Sequence, residues 1–99
     1  MAKKTLTEII GIPAMLEQTA EEATELCFAC LKLARMIRNE NAVHGRTRED
    51  LLDSLCEEAA DVWVCLEELE QAGLIDGDHC AAIQKFKESR WRRRVMEED

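Results

Sequence analysis

Two apolar helical seams, each interrupted by a glutamate, constrain this chain more than any other feature of its sequence. One stripe runs Met15, Thr19, Glu22, Leu26, Ala29, Leu33, Met36, and the other runs Leu51, Leu55, Glu58, Val62, Cys65, Leu69. Steps of four and three place each set along one face of a helix. A lone charge on such a face is costly unless it is paired or liganded. More acid lies alongside. Glu-Glu-Ala-Thr-Glu spans Glu21–Glu25 and Glu-Glu-Ala-Ala-Asp spans Glu57–Asp61, so Glu22 with Glu25, and Glu58 with Asp61, sit one turn apart on a helix face. Two such pairs on neighbouring helices bring four carboxylates into one space. They repel unless a hard cation fills it, and Mg²⁺ or Mn²⁺ is the usual occupant.

Whether the pairs can meet depends on the order of elements. Residues 1–12 read as an N-terminal extension, with a basic start and Ile9, Ile10 and Ile12 broken at Gly11. Pro13 suits the first turn of a helix running from about Ala14 to Asn39. Asn39–Arg46, with Asn41 and Gly45, reads as a loop. Thr47 with Asp50 forms a capping box that opens a second helix, and Gly73 stops it. Asp76-Gly77-Asp78 is a turn with Asp78 as cap, and a third helix covers about His79 to Met96, leaving 97–99 as a frayed tail. If the long helices form an antiparallel hairpin turning near Val43, Glu25 opposes Asp61. Glu22 and Glu58 then fall about one turn to either side, and the four acids span roughly 10 Å of axis. His44 and His79 sit at loop positions without metal-ligand spacing to the acids and read as solvated.

A chain of 99 residues makes one small domain, here 1–99. With no Tyr, one Pro and four Gly, strand signals are weak and the class expected is all-α. The formal charge of −8 makes nucleic acid an unlikely partner, because phosphate neutralisation needs positive charge. No apolar run reaches membrane-spanning length and there is no secretory h-region, so the expected setting is cytoplasmic with no membrane partner. The five cysteines, an odd number, read as reduced thiols used as small buried apolar residues, not as a zinc or disulfide framework. Each long helix also has a second apolar stripe: Leu16, Ala20, Ala23, Cys27, Cys30, Ala34 and Ile37 on one, Leu52, Cys56, Ala59, Trp63 and Leu66 on the other. That width exceeds what one hairpin partner covers. The third helix is expected to bury part of it, and a homo-oligomer, a dimer or dimer of dimers with a four-helix-bundle-like core, the remainder.

Glu-Glu-x-x-Glu on one helix followed by Glu-x-x-Asp on the next resembles the MazG-like nucleotide pyrophosphohydrolases, within the all-α NTP pyrophosphatase superfamily. The likeness takes in Ala20–Leu26, Leu31–Arg35, the Asn39–Asn41 loop, Leu55–Val62 and the Lys85–Arg92 helix. The stretch between Glu25 and Glu58 is longer than that family usually shows, which extra helical turns and the loop can absorb. The resemblance implies Mg²⁺-dependent (or Mn²⁺-dependent) hydrolysis of a nucleoside triphosphate to the monophosphate and pyrophosphate, a nucleotide-pool house-cleaning reaction. It implies Glu22, Glu25, Glu58 and Asp61 as metal ligands. Glu21 and Glu57 adjoin them and could orient water or a second metal, although solvated helix acids are the plainer reading. Lys32, Arg35, Lys85 and Arg92 are the candidates to meet the substrate phosphates. Trp63 and Trp91 could stack on a base, but Trp63 on an apolar stripe reads as core. A di-iron bundle would want Glu-x-x-His on two helices, and neither block supplies the His. The alternative from another class is a non-catalytic helical module with an acidic face, or a family member that has lost activity.

Overall fold

A computed structural model describes residues 3–40 and 45–97. It is all-helical among those residues, with α1 at Leu6–Ile10, α2 at Ile12–Ile37, α3 at Arg48–Gln71 and α4 at Gly77–Glu97. The expected turn at Val43, the loop residue Asn41, His44 and the last residues of the tail lie outside the described residues.

The caps explain the boundaries. Within the stretch read as an extension, Thr5 accepts from the Glu8 backbone N–H while the Glu8 side chain accepts from Thr5, a capping box that starts α1. Gly11, at φ 95, then breaks the chain direction, and Pro13 sits in the first turn of α2. α2 ends with Asn39 at φ 56, where Asn39 N–H donates to Met36 O and Glu40 N–H to Arg35 O. α3 ends the same way at Gly73, with bonds to Glu70 O and, from Leu74, to Leu69 O. Both are Schellman motifs, which tolerate only residues at ease with positive φ. Thr47 and Asp50 form the predicted capping box. At α4, Asp76 and not Asp78 is the cap: its Oδ1 accepts from His79 N–H at 3.1 Å, because the helix begins at Gly77, earlier than expected.

α2 and α3 pack side by side, and their contact carries the core. Met15, Cys65 and Leu69 form a buried cluster with Ile75 against it, and Ala29 and Leu51 are buried further along the seam. Glu22 and Glu58, both half-buried, occupy the position one heptad from a buried residue in each direction: Met15 and Ala29 on α2, Leu51 and Cys65 on α3. The register differs from expectation by about one turn, so Glu58 lies with Glu22 and Asp61 and faces Glu25. The pairing of Glu25 with Asp61 is therefore corrected.

α1 is clipped onto the hairpin by one side chain. Glu68 Oε1 accepts from both the backbone N–H and the hydroxyl of Thr7, each at 2.8 Å, and Thr7 is buried. These bonds hold the Glu68 carboxyl below its usual range. A depressed folded value means that the clip stabilises the fold above the ordinary carboxyl range and is lost as pH falls through the folded value. Glu68→Gln is expected to expose α1 to proteolysis at neutral pH while changing little in acid, where wild type has already lost the clip. Unchanged cleavage at neutral pH would show that α1 is held otherwise.

The second apolar stripes stay uncovered. α4 has no buried residue, so it does not bury the outer face as expected. Cys27, Cys30 and Cys56 are exposed, as is Cys80, and only Cys65 is buried. Trp63 is 65% exposed, so it is not core within this chain. The reason is rotational: these residues sit about a quarter-turn from the seam on each helix, and in an antiparallel pair that puts both stripes on the same side of the hairpin.

Candidate metal centre

Glu22 comes from the middle of α2, and Glu58 and Asp61 from the middle of α3. One carboxylate oxygen from each lies within 4.8 Å of the others. Burial of the backbone seam fixes the first two, and the one-turn step on α3 fixes the third. Glu22 Oε2 and Glu58 Oε2 are shielded from solvent and have no hydrogen-bond partner among the described residues. Two buried, orphaned carboxylate oxygens facing a third acid are poorly satisfied by protein alone. They are the donor set a hard divalent cation prefers, so the residues fit Mg²⁺ or Mn²⁺. The other Glu22 oxygen accepts from Gln18 Nε2 at 2.7 Å, which orients the carboxylate.

The Glu58 carboxyl is pushed above its usual range, first by desolvation, then by a hydrogen bond with Glu25, then by the charges of Glu25, Asp61 and Glu22. Because the folded value is raised, protonated Glu58 favours the metal-free fold below the ordinary carboxyl range, and that contribution is lost as pH rises through the raised value. A cation must displace this proton. Mg²⁺ affinity is therefore expected to weaken as pH falls through the raised Glu58 value, measurable by calorimetric titration at several pH values; an affinity independent of pH in that window would exclude proton displacement.

Two clefts open beside the acids. One, of about 220 Å³, is lined by Glu25 and Glu58 together with Phe28, Lys32, Arg46 and Ser54. The other, of about 170 Å³, is lined by Glu22, Asp61, Gln18, Met15 and Leu6. Lys32 thus stands beside the carboxylates. Arg46 stands there too, positioned by donation to Ser54 Oγ at 2.6 Å and to Asp50 O at 3.3 Å. Neither cation has a carboxylate partner within ion-pairing distance among the described residues. Arg46 and Phe28 were passed over in the sequence. Arg46 falls in the predicted loop and Phe28 in neither apolar stripe of its helix, but Arg46 immediately precedes the Thr47 cap, and helix starts are common anion sites.

The other candidates lie elsewhere. Glu21 and Glu57 are exposed, as is Arg35, and none of the three lines the cleft holding Lys32. Lys85 and Arg92 are on exposed α4, where Arg92 pairs with Glu88 at 3.0 Å. No helix among the described residues is long and apolar enough to cross a membrane. No protein-family model, curated protein or solved structure matches the chain.

Proposed function

We propose that this chain is a metal-dependent nucleotide pyrophosphohydrolase of the MazG-like kind, cleaving a nucleoside or deoxynucleoside triphosphate between the α- and β-phosphates. The observation that carries this reading is the pair of solvent-shielded, unpartnered oxygens of Glu22 and Glu58 gathered with Asp61. A divalent cation held there, Mg²⁺ or Mn²⁺, would supply charge neutralisation for the phosphates and acidify a water molecule.

Glu22, Glu58 and Asp61 are the ligands in this reading, with Glu25 beside them as ligand or as acceptor of the attacking water's proton. Glu21 and Glu57 stay as outer acids on the same helix turns. Lys32 and Arg46 flank the carboxylates and are suited to the phosphate chain, where a charge-assisted bond to a guanidinium stabilises the departing pyrophosphate. Phe28, 56% exposed in the same cleft, offers a ring on which a base can stack. The protein acts as a homodimer in which the uncovered α2 stripe and the Leu52–Ala59 part of the α3 stripe meet their counterparts on the partner in a four-helix-bundle-like core, in a cytoplasmic nucleotide-pool role.

The test is a panel of ribo- and deoxyribonucleoside triphosphates with Mg²⁺ and resolved products. Monophosphate plus pyrophosphate is expected, and Arg46→Ala is expected to lower kcat/KM by about 10²-fold. Orthophosphate with a diphosphate, or no turnover of any triphosphate, would overturn the reading.

A further inference from the structure

α4 leaves the hairpin with its apolar side open to water. None of its 21 residues is buried. Ile83, Trp91 and Val95 are 40%, 71% and 50% exposed, and helical spacing lines them up on one face with Cys80. Most helical stability in proteins comes from packing of an apolar face, and within this chain α4 buries none. Its root, by contrast, is fixed: α3 ends in a Schellman motif, Ile75 packs on the core cluster, and Asp76 caps the first turn.

Surface area says how much is missing. The chain exposes 8178 Å², whereas a compact protein of 11.3 kDa exposes about 5,700 Å². The excess, on the order of 2,400 Å², is about three times the share each partner contributes to a standard interface. It matches a large obligate dimer. The radius of gyration agrees, at 17.4 Å against about 13 Å for a compact chain of this length. Charge points the same way. α4 carries Lys85, Lys87, Arg90, Arg92, Arg93 and Arg94 against Asp78, Glu88 and Glu97, in a chain whose net charge is −8. A basic apolar arm and an acidic apolar body are complementary. On α3 the exposed Trp63 and Leu66 are flanked by exposed Glu67 and Glu70, while on α4 Lys87 and Arg94 lie within the Ile83–Trp91–Val95 face itself.

We propose that α4 is an exchanged arm, packing its Ile83–Trp91–Val95 face against α3 of a second copy of this chain around Trp63 and Leu66, and receiving that copy's arm in return. This goes beyond the hydrolytic reading and does not depend on it. The arm also carries Lys85 and Arg92, so any phosphate they meet belongs to the partner's cleft.

Two single-tryptophan variants of the full chain test it. Trp63→Phe leaves Trp91 as the reporter on the arm, and Trp91→Phe leaves Trp63 on α3. Both emissions are expected to shift to the blue with rising protein concentration, in step with dimer mass by light scattering. Trp91→Asp is expected to raise the dimer dissociation constant by about 30-fold or more without loss of helicity. A monomer across the accessible range, a dimer in which Trp91 emission stays water-like, or Trp91 emission already blue-shifted in the monomer would each overturn the exchange. None of these readouts depends on activity, so a failure of the arm is distinguishable from a failure of the enzyme.

Discussion

Glu58→Gln is expected to lower metal-dependent turnover by at least about 10²-fold, the scale on which loss of groups around a catalytic metal is felt, and to stabilise the metal-free protein at neutral pH. The two effects have one cause. Glu58 sits on a seam between buried residues, with a shielded unpartnered oxygen and a carboxyl raised above its usual range by burial and three neighbouring acids. Without a cation its ionised form is a liability, and the amide removes the charge while keeping the shape. With a cation it is a ligand, and the amide is a weaker one. Thermal melts with and without Mg²⁺ therefore separate wild type from variant: Mg²⁺ stabilises the former and leaves the latter unmoved. A variant less stable than wild type in the absence of metal, or equally stabilised by it, would contradict this.

The second large effect is on the core. Leu51, 2% exposed, is the most buried of only five buried hydrophobic residues among those described, and it also lines the cleft below Glu58 and Arg46. Leu51→Ala is expected to cost about 2–5 kcal/mol. That is a large share of the roughly 5–15 kcal/mol of a typical domain, and here the core is thin. Chemical denaturation should show a strong loss of stability and, because the cavity opens beside the acids, a weakened response to Mg²⁺. A loss comparable to that of a surface substitution would mean that dimer contacts, not the α2–α3 seam, hold the fold.

The two long helices and the acid pairs were legible because periodicity, the Thr47–Asp50 box and the Gly73 stop all act locally. The register was not. It depends on where the inter-helix turn falls, and a shift of one turn exchanges Glu25's opposite number from Asp61 to Glu58. α1 was missed although Thr5 and Glu8 spell a capping box, since its five residues are too few to show a period; what secures it is the distant Glu68, which no local pattern reveals. The third helix was found, but its failure to cover the hairpin could not be read from a stripe that suits a foreign surface as well as its own. The cysteines and Trp63 mislead for the same reason: an apolar residue a quarter-turn from the seam is buried only when a second body arrives. Arg46 gained its place from Ser54, two turns into α3, a pairing visible only in three dimensions.

Titration of the full chain with Mn²⁺, followed by electron paramagnetic resonance of the free ion, addresses the carboxylate cage most directly. Saturable uptake by wild type, competed by Mg²⁺ and abolished in both Glu22→Gln and Glu58→Gln, is the predicted result. Uptake that persists in both variants, or none at millimolar Mn²⁺, would contradict it.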